Sequence, residues 1–188
     1  MPFLLSDRDL AGDLAGVHSA LIVPCRFCPA ASLAVRTKTA YLKLSRGLRT
    51  PPYESHISAL KSHLELQGIK TGVFDSKLPH QFVMCMWPSS RRKALAREAK
   101  RYDAMIVLGC DAAVETARLC ADGCRVIPGM AVEGVMNVVP RVRLPADVYL
   151  EVQSVTRVLQ HATPRQVQGD SVCGSEAGGS NPRGRAVS

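Results

Sequence analysis

The sequence predicts an α/β chain built on a doubly wound parallel sheet of about four to five strands. Short apolar runs at residues 18–23 and 104–108 are continuous rather than alternating, which suits central strands buried on both faces. Helical periodicity fills the stretches between such runs, and glycines close the helices before the next run begins. Helix, glycine and then strand is the connection this winding requires, and the pattern is flavodoxin-like.

Taken in order, residues 1–17 read as a polar lead-in with a short helix, capped by Asp7 and carrying Leu10, Leu14 and Val17 at helical spacing. Ser19 to Val23 forms the first strand and stops at Pro24. Ala30 to Leu44 reads as helical, and Arg49-Thr50-Pro51-Pro52 breaks the pattern. Tyr53 to Gln67 places Ile57, Leu60 and Leu64 at helix period, with Gly68 as the stop and Ile69 to Phe74 as the second strand. A loop follows from Asp75 to Trp87, with an extended piece at Gln81 to Met86.

The next helix runs from Pro88–Ser89 to Arg101, with Ser89 or Ser90 as its cap. Tyr102 to Gly109 is the clearest strand, and Asp111 caps a helix over Ala112 to Ala121. Gly123 ends that helix and Cys124 to Pro128 begins a fourth strand. Gly129 to Pro140 is apolar and glycine-punctuated, and Asp147 to Leu159 reads as a closing amphipathic helix. These elements make one cysteine-rich domain over residues 1–161, with its core at 18–140. Residues 162–188, rich in Gly, Ser, Pro and Arg, read as a disordered tail that includes Cys173.

Composition narrows the classes. Hydrophobic residues are 46% and charged residues 21%, ordinary for a globular chain, and no eighteen-residue apolar run exists to cross a membrane. Met1 to Asp7 lacks a basic segment followed by an apolar one, so the expectation is a cytoplasmic protein. There, paired thiols usually mean metal or redox chemistry, and seven cysteines fit a disulfide framework poorly. The net charge of +8 is concentrated. Arg26, Arg36, Lys38, Lys43, Arg46 and Arg49 occupy residues 26–50 without an acidic neighbour in sequence. Six more cations, Arg91 to Arg101, face a single Glu98. Such patches suit an anionic protein surface, a phosphate-bearing cofactor or nucleic acid, or are merely a solvated helix face. Nucleic acid is disfavoured, because aromatics at 5% leave no stacking platform.

Chemistry concentrates in the cysteines. Cys25 and Cys28 form a CxxC just past the first strand, Cys110 follows the third, and Cys85 lies in the connection between the second and third. Carboxyl ends of neighbouring parallel strands share one crevice, so these four thiols are expected to form one metal site. Soft thiolates in that number suit zinc or an iron–sulfur cluster. A Cys25–Cys28 redox dithiol and inert buried thiols are the competing readings. Cys120 and Cys124 fall at the opposite end of a helix from Cys110, toward the amino ends of the strands. His80 and Glu133 are weaker ligand candidates, and GxGxxG, Walker A, GxSxG and HExxH motifs are all missing.

The order strand–CxxC, single cysteine, then Tyr102-Asp103-Ala104-Met105-Ile106-Val107-Leu108-Gly109-Cys110-Asp111, followed by Ala112-Ala113-Val114-Glu115-Thr116 and Val126-Ile127-Pro128-Gly129, resembles a small cysteine-rich family. This is the MetV-like domain family that accompanies flavin-containing methylenetetrahydrofolate reductase, and the resemblance covers roughly residues 18–140. The chain departs from it at Arg26-Phe27, where the family carries glycine, in the basic insertion that follows, and in the Gly-Cys order at 109–110. The resemblance implies an accessory, non-catalytic subunit of an oxidoreductase complex, holding a [4Fe-4S] cluster or Zn2+ on Cys25, Cys28, Cys85 and Cys110. Its implied partner is a flavin-containing or iron–sulfur oxidoreductase subunit, in one-carbon metabolism or in a heterodisulfide-reductase-like electron-transfer complex. A stand-alone CxxC oxidoreductase is the alternative.

Overall fold

In the computed structural model, which describes residues 1–43, 50–74, 82–144 and 147–158, the predicted parallel sheet is present and a second sheet stands beside it. The parallel sheet contains β2 (Ser19–Pro24), β4 (Lys70–Val73), β5 (Ala104–Leu108) and β6 (Arg125–Pro128), in the spatial order β4-β2-β5-β6. Every pairing in it is parallel, and β2 and β5 run side by side with Pro24 opposite Leu108.

Side-chain alternation divides the core into two. Ala20, Ile22, Ala104, Ile106 and Leu108 face α1 (Cys28–Thr37) and α2 (Pro51–Leu66), and Tyr53, Ile57 and Leu64 pack onto them from α2. Leu21, Val23, Met105 and Val107 face the other way, toward α3 (Ser89–Ala99) and α4 (Asp111–Arg118). Helices therefore cover both faces, which is why all five residues of β5 are buried and why its sequence shows no polar alternation.

The second sheet corrects the sequence reading at both ends of the chain. It is antiparallel, in the order β1-β7-β8-β3, from β1 (Phe3–Asp7), β3 (Leu42–Lys43), β7 (Met130–Arg143) and β8 (Asp147–Arg157). The polar lead-in holds β1, paired with β7, and where the short helix was expected Leu10 to Val17 contributes only a turn, with Leu14 N–H bonded to Leu10 O at 3.0 Å. The expected closing helix over Asp147 to Leu159 is β8, bonded along β7. Buried Ser32 ties α1 to the second sheet: its hydroxyl accepts the Leu5 N–H at 2.9 Å and lies 3.0 Å from Phe3 O.

Smaller expectations also move. The helix expected over Ala30 to Leu44 ends at Thr37, where Lys38 turns left-handed at φ +53°. Pro88, not Ser89 or Ser90, precedes α3, and Cys110 rather than Asp111 stands at the start of α4, both without a side-chain cap. The extended piece at Gln81 to Met86 is in its described part a short 3-10 turn, Met84–Met86. Gly68 closes α2 at φ +80°, as glycine allows, whereas α4 ends at Arg118, short of the expected stop at Gly123, whose φ of +77° falls in the turn before β6. The tail read as disordered, with Cys173, and His80 lie outside the described residues. No described helix is long and apolar enough to cross a membrane.

Candidate thiol site

Strands β2 and β5 are neighbours in space although about eighty residues separate them, and the order of strands reverses between them: the chain leaves β2 for β4 on one side and returns to β5 on the other. Ligands gather beyond the carboxyl ends of strands at such a reversal. The chain supplies cysteines there. Cys25 directly follows β2, Cys28 opens α1, and Cys110 stands between β5 and α4. Cys25 N–H donates to Leu108 O at 2.9 Å, which locks the CxxC turn to the end of β5. Gly109 permits the approach, since a Cβ there would stand 3.2 Å from Cys25 Cβ and 2.6 Å from Ala113 Cβ.

Cys85 reaches the same rim by a different route. Phe82 O, two residues before the 3-10 turn, accepts the Arg26 N–H at 2.8 Å and lies 3.7 Å from Cys25 Sγ. The Met84 N–H also bonds to the Cys25 sulfur. The turn bearing Cys85 is thus tied to the CxxC, and Cys85 itself is exposed.

Within this rim the sulfurs are not equivalent. Cys25, Cys28 and Cys110 are 3%, 7% and 6% exposed, so each would be costly to ionise alone. Cys25 continues the phase of Leu21 and Val23 and joins the core on the α3/α4 face. Cys110 continues the phase of Ile106 and Leu108 and joins Cys28 in the core on the α1/α2 face. Cys28 and Cys110 are hydrogen-bonded to each other, and all six described cysteines are free thiols.

That contact sets the electrostatics. The thiol of Cys28 donates to Cys110, and this stabilises a Cys110 thiolate strongly enough to outweigh its burial. The Ala113 and Ala112 N–H groups at the start of α4 add to the effect, and the Cys110 pKa falls from 9.0 to about 6. Cys28 moves in the opposite direction, first because it is the donor to Cys110 and second because it is buried, while the Phe3 N–H opposes the rise. Cys25 is raised mainly by burial, against the Met84 and Phe27 N–H groups, with smaller repulsions from Cys110 and Cys85.

Other residues enclose the thiols that sequence reasoning did not assign to them. Buried Tyr53 sends its hydroxyl to Leu108 O at 3.3 Å, and burial, then the charge of Cys25, holds it protonated. Burial, followed by the charges of Cys28 and Cys25, raises Tyr41 to about 12. Phe3 reaches Cys28 because the first residues form a strand, and no sequence signal marked that contact.

The basic patches are thinner in space than in sequence. Arg26 is 9% exposed and ion-paired with Glu54, so it is not available to an anionic partner. Arg36 pairs with Glu133 at 3.1 Å, which accounts for Glu133 without a ligand. Arg91 stacks on Phe74 with its guanidinium 4.0 Å from the ring centre, and Lys100 reaches Asp122 at 3.2 Å. Arg46 and Arg49 lie outside the described residues. Cys120 and Cys124 are buried toward the amino ends of the strands, and burial raises the pKa of both.

Among the described residues, no three His, Cys, Asp or Glu side chains are grouped closely enough to hold a metal ion as they stand. The donors still fit a soft metal in kind, being four free thiols with one poised as thiolate. Comparison with protein-family models, curated proteins and solved structures yields no match to this chain.

Proposed function

We propose that this protein is a metal-binding accessory subunit of a redox complex, with Cys25, Cys28, Cys85 and Cys110 as the metal's ligands. One observation supports the reading: the three separate stretches that carry these four thiols converge on the rim where the strand order reverses. The spatial order β4-β2-β5-β6, in which the second strand by sequence flanks the first and the third lies on its other side, supports a flavodoxin-like winding.

The Cys110 thiolate would be the first ligand available, and Cys28 would join it by giving up the proton it shares. Cys25 and Cys85 complete the set only by drawing toward that pair from the other side of the sheet edge. An iron–sulfur cluster would supply one-electron transfer, and zinc would lock the strand-end loops into a docking surface. The residues themselves hold, orient and shield: Tyr53 and Tyr41 close the rim, and α4 aims its N–H groups at Cys110. The resemblance to MetV-like domains supports a flavin-containing or iron–sulfur oxidoreductase as partner and a cytoplasmic, one-carbon or heterodisulfide-reductase-like setting.

Anaerobic purification followed by iron, sulfide and zinc analysis tests this. A brown protein that loses its colour in Cys110→Ser supports electron relay, and a colourless one holding a single zinc supports scaffolding. A reduced chain that takes up neither iron nor zinc overturns the metal reading. A flavoprotein that co-purifies would identify the partner class.

A further inference from the structure

We infer that Cys28 and Cys110, and not the two cysteines of the CxxC, form a reversible disulfide in the metal-free protein. The inference takes its site from the proposed metal centre but does not need a metal to bind there.

Strand parity decides which sulfurs meet. Cys25 leaves β2 in register with Leu21 and Val23 and is packed with the α3/α4 face. Phe82 O and the Met84 N–H hold its sulfur on that side. Cys28 begins α1 and belongs to the core on the α1/α2 face, with Ala20, Ile22, Ile106 and Leu108, and Cys110 belongs to that same core. The edge of the sheet therefore separates the partners that the motif suggests, and it unites two cysteines from different stretches. Cys28 and Cys110 are already hydrogen-bonded. Their bridge would close a loop of about eighty residues, and by restricting the unfolded chain it would stabilise the fold.

A peroxide is a small enough oxidant for this buried pair. The Cys110 sulfur gives up its proton and takes one oxygen from hydrogen peroxide as the O–O bond breaks, and the departing hydroxide collects the proton as water. This leaves Cys110 as a sulfenic acid. The Cys28 sulfur then attacks Cys110, the S–O bond breaks, and the hydroxide leaves as water with the Cys28 proton. Two thiols have lost two protons and two electrons, and the peroxide has become two waters. A dithiol reductant reverses the bridge by exchange and is itself oxidised to a disulfide.

The test is disulfide mapping of the full chain, treated with a chelator and limiting hydrogen peroxide, alkylated and digested. A cross-linked pair of peptides carrying Cys28 and Cys110 is expected, in the unaltered chain and in Cys25→Ser alike. Cys110→Ala should abolish it, and Cys28→Ala should leave a sulfenic acid on Cys110 that dimedone traps. A Cys25–Cys28 bridge as the main product, or no bridge at all in the unaltered chain, overturns the inference. Metal analysis reports separately. A chain that binds metal but bridges Cys25 to Cys28 keeps the metal reading and loses this one, and a chain that never binds metal but bridges Cys28 to Cys110 does the reverse.

Discussion

A single proton shared by Cys28 and Cys110 gives the site its dependence on pH. With its folded pKa lowered to about 6 from 9.0, Cys110 contributes stability that is fully present above pH 9, declines as pH falls, and is lost through pH 6. Cys28, held protonated by its role as donor, acts oppositely and costs stability once pH rises past 9. The reduced, metal-free chain should therefore show thiolate absorbance titrating near pH 6, and Cys110→Ser should flatten the rise in stability between pH 6 and 9. An unchanged titration in that variant would mean that another thiol carries the charge. Gly109 gives a second prediction at this scale. Its missing Cβ makes room for Cys25 and Ala113, so Gly109→Ala should cost about 1–3 kcal/mol in chemical denaturation, as overpacking typically does. That Cys25 and Cys110 follow strands of one parallel sheet was legible from the apolar runs before them. Their division between two faces was also written in the sequence, as the phase of Cys25 with Val23 and of Cys110 with Leu108, but it becomes visible only once both strands are known to be adjacent.

Elements of the parallel sheet were legible because burial on both faces erases alternation, leaving short unbroken apolar runs such as Ala104–Leu108 that are the mark of a central strand. The antiparallel sheet was not, and β8 shows why. Val148, Val152 and Val155 recur at spacings of four and three, which is helical spacing. In the structure the spacing of three comes from a bulge: Val138 faces Val152 and Asn137 faces Ser154, so β8 carries one extra residue at Gln153. Met136 and Val138 share a face of β7, and so do their partners Val155 and Val152. A strand with one bulge thus imitates a helix over two turns, although its β-branched content favours the strand. Close approach along this pair depends on Gly134, where a Cβ would stand 2.4 Å from Thr156 O and 3.1 Å from Arg157 Cα. Backbone cannot swing aside as a side chain can, so Gly134→Ala should destabilise by about 1–3 kcal/mol and weaken protection of the β7–β8 amides first. A variant as stable as the parent, with unaltered exchange, would show that this ladder has slack.

For the molecule as a whole, the two sheets differ in how much holds them. In the parallel sheet β2 and β5 are each paired on both edges and covered by helices on both faces, with Ile22, Met105, Ile106 and Val107 fully buried. Burying such side chains contributes roughly 1.5–3 kcal/mol each. Strand β8 is mostly exposed, and among the described residues its outer edge is paired only at Asp147 and Val148, by β3. Local opening is governed by such differences, since an amide exchanges through the least costly motion that exposes it. Amides of β2 and β5 should therefore exchange only through global unfolding, and those of β8 from Ser154 to Arg157 should exchange orders of magnitude faster. Because Cys25 and Cys110 lie within two residues of the ends of the two slowest strands, the thiol rim should keep its protection while the hairpin of β7 and β8 opens. Hydrogen exchange resolved by residue, on the full chain alone, checks this. Equal protection in β8 and β5 would contradict the division and would mean that another surface covers the exposed strand.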